Sequence, residues 1–108
     1  MQRGEIRWYT FASPDKRRPV LLLTRDAVVD TLNELIVVPA TRTIRGIATE
    51  VVLSQADGMP VDCALNFDHI ALAHRARIGG VLAVLGSERW PEIERALLVA
   101  CGFRVPEG

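Results

Sequence analysis

A chain of 108 residues that is 49% hydrophobic, with 13 basic and 13 acidic residues, is one ordinary domain, 1–108, and its zero formal charge excludes an indiscriminate polycation that binds any nucleic acid. No apolar run reaches the length of a membrane span; the longest, Val20–Leu23 and Ile36–Ala40, are the size of strands. So apolar a sequence in so short a domain implies a sheet buried on both faces or self-association, and the expectation is a two-fold homodimer in the cytoplasm, without membrane attachment.

The elements follow in chain order. Gly4 is punctuation, and Glu5–Phe11, rich in aromatic and β-forming residues, reads as a first strand. Trp8 and Tyr9 point to opposite faces of it; core packing is expected for Trp8, which leaves Tyr9 to face outward. Ala12–Arg17 has turn chemistry. Pro19–Thr24 is a buried strand whose proline belongs at its first position, because it has no N–H for the ladder, and this puts Arg18 at the loop-to-strand junction. Asp26–Leu32 is a short helix or turn, and Glu34–Ala40 a strong strand. Thr41–Ile47 is a polar loop, followed by a strand Thr49–Leu53 that makes a hairpin with the one before. Ser54–Pro60 is an open loop; Cys63–Asn66, His69–Ala73 and Val81–Leu85 are short strands.

After that the period changes. Ile93, Leu97, Ala100 and Cys101 recur at helical spacing, with Ser87, Trp90 and Pro91 as start signals, Glu92 and Glu94 suited to the positive end, and Gly102 as the stop. Six or seven short strands and one terminal helix describe a mainly β chain with α: a small, strongly bent antiparallel barrel carrying a helix.

Charge is unevenly placed. Residues 1–47 hold eight basic and five acidic side chains, and residues 48–108 the reverse. The basic half contains Lys16-Arg17-Arg18 and the pair Arg42 and Arg45, and all the basic residues but Lys16 are arginine, the side chain that forks onto phosphate oxygens. No metal site is readable: the cysteines Cys63 and Cys101 are isolated and read as reduced, buried thiols, His69 and His74 stand at an odd offset, and Asp57, Asp62 and Asp68 have no spacing that demands a cation. No cofactor is expected.

Chemistry without a metal is open to RNA, which carries its own nucleophile in the 2′-OH. The protein then has to align that hydroxyl, stabilise charge on phosphorus and move protons. Arg18 and Thr41, each beside an apolar strand, are candidates for this work; a solvated arginine and a turn threonine are the plainer alternative.

Five short segments in order resemble the MazF/PemK family of toxin endoribonucleases. They are Arg3-Gly4-Glu5-Ile6, Lys16-Arg17-Arg18-Pro19-Val20-Leu21, Val38-Pro39-Ala40-Thr41, Thr43-Ile44-Arg45-Gly46 with Thr49-Glu50-Val51, and Ala64-Leu65-Asn66-Phe67-Asp68-His69-Ile70. The resemblance implies an SH3-like barrel, a homodimer, and metal-independent cleavage of single-stranded RNA with Arg18 and Thr41 as the catalytic pair. It also implies inhibition by a cognate antitoxin; attack by the 2′-OH, for its part, should leave a 2′,3′-cyclic phosphate and a 5′-OH. Lys16, Arg17, Arg42, Thr43, Arg45 and Tyr9 are then the candidate RNA contacts. The loop before Arg18 is shorter than in many members, so its acidic residue is either missing or replaced by Asp15, the candidate proton acceptor. Rival readings are a topoisomerase-poisoning toxin like the CcdB family, whose terminal Trp-Gly-Ile is absent here, and a catalytically inactive binding module.

Overall fold

The computed structural model describes residues 1–11 and 17–106. Seven strands, β1 (Glu5–Thr10), β2 (Arg17–Leu22), β3 (Glu34–Thr41), β4 (Glu50–Leu53), β5 (Cys63–Asn66), β6 (Ala71–His74) and β7 (Val81–Val84), precede one helix, α1 (Trp90–Ala100). They form a single curled antiparallel sheet in the order β4-β5-β3-β2-β1-β7, with β6 also on β3.

The long strand β3 organises the curl. Its first half, Glu34–Val37, pairs with β6, and its end, Ala40 and Thr41, pairs with β5. A strand that changes partners along its length must bend, and so the sheet closes into a half-barrel. The hairpin expected between β3 and β4 does not exist; β4 pairs with β5 instead, Glu50 opposite Asn66 and Leu53 opposite Cys63. The sequence between β3 and β4 is too long and polar to form a tight turn, and the edge it would have occupied is taken by β5 and β6.

The central strands β2 and β3 are buried on both faces over most of their length, which explains the apolar runs. Val20, Leu22, Leu35 and Val37 pack with Tyr9, Val29 and Ala73 on one face. Leu21, Leu23, Val38 and Ala40 face the other way, joining Ile6, Val51, Leu53, Phe67 and the helix residues Ile93 and Ala96. A strand covered on both sides has no solvent face to mark by alternation. Helix α1 supplies that second cover. Pro91 sits in its first turn, and it ends where Gly102 takes φ 78°. There the Gly102 N–H bonds Val99 O at 3.1 Å and the Phe103 N–H bonds Leu98 O at 2.8 Å, a Schellman ending. Trp90 covers the core edge, with the Arg3 guanidinium 4.4 Å above its ring. Arg89 ties the helix start to the Gln55–Asp57 turn through the Asp57 carboxylate and to Glu92 at 3.1 Å.

Three local expectations shift. Pro19 is the third residue of β2, not the first. It is tolerated because its partner Trp8 turns its own backbone to Gly79 and Gly80, so no ladder bond is asked of Pro19 from β1, and the pairing with β3 begins only at Val20. His69 lies in a one-turn 3-10 segment, Phe67–His69, rather than in a strand. Cys63 is buried as expected, whereas Cys101, just past the helix, is exposed.

Candidate active site

The site is built at the open end of the β2–β3 pair. The register there is Val20 opposite Pro39, Leu21 opposite Val38 and Leu22 opposite Val37. Beyond Val20 and Pro39, Arg18 on β2 and Thr41 on β3 line the same recesses. Arg18 is in fact inside β2, paired with Tyr9, and Thr41 is the last residue of β3, paired with Ala64. Two recesses meet at this pair. A groove of about 670 Å³ is lined by Arg18 and Thr41 together with Trp8, Arg17, Arg42, Thr43 and the apolar Met59, Pro60, Val61 and Leu82. A smaller hollow of about 150 Å³ is lined by Arg18, Thr41, Thr43, Arg45, Asn66 and His69 over the Pro39–Ala40 backbone.

The hydroxyl of Thr41 accepts the Thr43 N–H at 3.2 Å. Its own proton finds no acceptor among the described residues and is free to donate into either recess. The loop that carries Thr43 and Arg45 is pinned from behind by Glu50, whose Oε1 accepts the Arg45 and Gly46 N–H groups at 2.9 and 3.0 Å. Gly46 takes φ 68° there, a conformation that glycine adopts without strain. The second oxygen of Glu50 is buried with no partner among the described residues. Arg17, Arg18, Arg42 and Arg45 are all exposed; Arg17, Arg18 and Arg42 border the groove, and Arg18 and Arg45 the hollow.

The two first-strand aromatics are exchanged relative to expectation. Tyr9 is 6% exposed, its ring edge-to-face with Phe11, and its hydroxyl accepts the His74 N–H at 3.3 Å. It is a core residue and is withdrawn as an RNA contact. Trp8 instead opens onto the large groove with the Arg17 guanidinium 4.4 Å over its ring. Tyr9 lies on the face closed by Val20, Leu22, Leu35 and Val37, whereas Trp8, on the opposite face, borders the groove. That cover comes from strands distant in sequence and is not visible in a strand pattern.

Of the other expected residues, Thr43 and Arg45 reach the small hollow, and Arg17, Arg42 and Thr43 the large groove. Asp15 and Lys16 lie outside the described residues. Sequence reasoning missed Asn66 and His69 as members of the site. It set His69 aside on strand alternation, which does not apply to a 3-10 turn. Among the described residues no three His, Cys, Asp or Glu side chains gather as around a metal ion.

The sequence and the fold are both similar to those of known proteins. The family model described as PemK-like, MazF-like toxin of type II toxin–antitoxin system matches residues 2–100. The chain belongs to this family. It is 38% identical to the probable endoribonuclease MazF2 of Mycobacterium tuberculosis, over 94% of this chain and 99% of that one. It is 40% identical to the probable endoribonuclease MazF5 of the same organism, over 91% and 90%. Among solved structures it is similar to the Mycobacterium tuberculosis toxin MazF-mt6, with TM-score 0.85 and 29% identity over 93% of this chain and 98% of that one. The fold is shared with an endoribonuclease in complex with its cognate antitoxin from a mycobacterial species, at TM-score 0.85 and 23% identity over 98% and 99%. In this PemK-like, MazF-like chain, the apolar groove and the polar hollow therefore stand on a toxin scaffold.

Proposed function

We infer that this chain is the toxin of a toxin–antitoxin pair, an endoribonuclease that cleaves single-stranded RNA at short sequences, with Arg18 and Thr41 as its catalytic pair. The observation that supports the assignment is that a cation, Arg18, and a free hydroxyl donor, Thr41, both line the two recesses of different character. An extended RNA strand laid across that point has its bases toward Trp8 and the apolar groove wall and its phosphates toward Arg17, Arg42, Arg45 and Thr43. Aromatic faces stack bases, and guanidinium groups hold phosphate oxygens.

In the reaction the 2′-oxygen attacks phosphorus, the bond to the 5′-oxygen breaks, and the products are a 2′,3′-cyclic phosphate and a 5′-OH. Arg18 and the Thr41 hydroxyl stabilise the charge that builds on the non-bridging oxygens. Asp15 is the proposed acceptor of the 2′-OH proton, since arginine is too weak a base; a proton from solvent completes the leaving 5′-OH. The partner that restrains the enzyme is an antitoxin with an acidic extended segment, suited to the same arginine-lined opening. The working unit is a cytoplasmic homodimer, for which the exposed cross-strand pair Ile36 and Leu72 and the exposed Val81 and Val84 offer apolar surface.

The test is cleavage of total RNA by the pure protein in excess EDTA, with the cut ends mapped. We expect cutting at a short recurring sequence that leaves a 2′,3′-cyclic phosphate and that stops when the 2′-OH at the cut site is replaced by hydrogen. Cleavage of the 2′-deoxy strand, or products with a 5′-phosphate, would show an activated water instead.

A further inference from the structure

The polar hollow beside Arg18 and Thr41 contains a histidine whose protonation pattern is set by the fold. Asn66 is 4% exposed, and its Oδ1 accepts the Asp68 N–H at 3.0 Å, capping the Phe67–His69 turn. That bond fixes the orientation of the amide, because the flipped form would set an NH2 group against a backbone N–H. The Nδ2 of Asn66 is therefore the atom facing His69 Nδ1 at 3.3 Å. An amide nitrogen only donates, so Nδ1 accepts, and the proton of the neutral imidazole sits on Nε2.

We propose that His69 contacts substrate: held as its Nε2–H tautomer by Asn66, it donates a hydrogen bond to a non-bridging oxygen of an RNA backbone phosphate seated in the small hollow. The proposal rests on the RNA-cleaving reading of the site. The other polar side chains that line the hollow are Arg18, Arg45, Thr41 and Thr43, and no carboxylate is among its lining residues. The nearby carboxylate of Glu50 holds the backbone of Arg45 and Gly46 from behind. Donors converging on a small space call for a compact anion rich in oxygen, whereas the apolar groove on the other side suits a base. Acid–base work does not fit the same geometry. A nitrogen that carries its proton cannot accept another, and an imidazolium would set Nδ1–H against the Asn66 amide. His69 thus acts through a neutral hydrogen bond, unlike the arginines around it.

The test uses a single-stranded RNA spanning a mapped cut site, with 2′-deoxy at that site so that it binds uncut, and reads affinity by fluorescence anisotropy. His69 is exposed, so its variants keep the fold. We expect His69→Phe to weaken binding about tenfold, the worth of one hydrogen bond to a charged group. The dependence of log affinity on log salt should stay unchanged, while Arg45→Ala should lower that slope by about 0.7, as for one lost phosphate contact on a single strand. His69→Gln, whose amide nitrogen reaches the place of Nε2, should restore both binding and kcat. Unimpaired RNA binding by His69→Phe overturns the proposal, even if its grip on the antitoxin weakens. So does a His69→Gln enzyme that binds normally and cleaves as slowly as His69→Phe, which would make His69 a proton carrier. A parent enzyme that does not cleave the all-ribose strand overturns the RNA-cleavage reading itself; a parent that cleaves, with His69→Phe binding as well as it does, overturns only the role of His69.

Discussion

Replacing Thr41 by valine removes one oxygen and keeps the β-branched shape that suits the end of β3. On the folded-state side the loss is one hydrogen bond, the Thr43 N–H to Thr41 Oγ1 at 3.2 Å, near the surface. Such a bond contributes a net of about 0.5–1.5 kcal/mol, and for a domain of this size each kcal/mol moves Tm by roughly 4–8 °C. On the catalytic side the proposed role of the lost group is to donate toward the charge developing on phosphorus. Removal of one such donor typically slows reaction about 10²–10³-fold, or roughly 2.7–4 kcal/mol of barrier. The catalytic loss therefore exceeds the loss of stability, and Thr41→Val should be a folded, nearly inactive protein. The assay is single-turnover cleavage of a fluorogenic RNA with enzyme in excess, so that weakened affinity does not mask the chemical step, run well below the measured Tm. Thr43→Val, which removes a hydroxyl from the exposed loop beside it, should cost less than tenfold. A Thr41→Val enzyme within threefold of the parent, or a Thr43→Val enzyme that loses more than Thr41→Val does, would refute the assignment.

Arg18→Ala should lower cleavage by at least the same factor while leaving Tm nearly unchanged, because the side chain is exposed and no side-chain hydrogen bond to another described residue holds it; a rate equal to the parent's would remove Arg18 from the mechanism. Burial pushes the Glu5 carboxyl up, but the Gln2 N–H and the Arg7 guanidinium outweigh it and hold the group below its ordinary 4.5. A carboxyl with a lowered folded value contributes stability that is present above the ordinary value and lost as pH falls through the folded one. Acid titration of Tm should therefore show Glu5→Gln less stable than the parent at neutral pH and converging with it as pH falls through the lowered folded value; a constant gap would contradict this. Thiol labelling of the native protein should modify the exposed Cys101 quickly and Cys63 only on unfolding, since burial, with Asp62 and Asp57 nearby, pushes the Cys63 thiol up. Equal rates for the two would show that the core around Cys63 opens readily.

By itself the sequence determined the class of fold and the helix, and it singled out the proposed pair, Arg18 and Thr41. Apolar runs such as Val20–Leu23 have only one use in a small domain, as strands covered on both faces, and Pro91, Glu92 and Gly102 are local devices that act through their own backbone. Ordered short motifs placed Arg18 and Thr41 in one family's pattern, although nothing in their spacing along the chain says that they meet. The tertiary structure decided what depends on partners distant in sequence. It chose β5 and β6 over β4 as the neighbours of β3, because pairing is a competition among edges and not a property of one strand. It turned Tyr9 inward, under the cover of Val20, Leu22, Leu35 and Val37, and left Trp8 on the face that borders the groove. It also carried Asn66, at the end of β5, and His69, in the turn that follows, to the side of Arg18 and Thr41, where the 3-10 geometry of that turn, rather than any strand alternation, sets the face His69 presents.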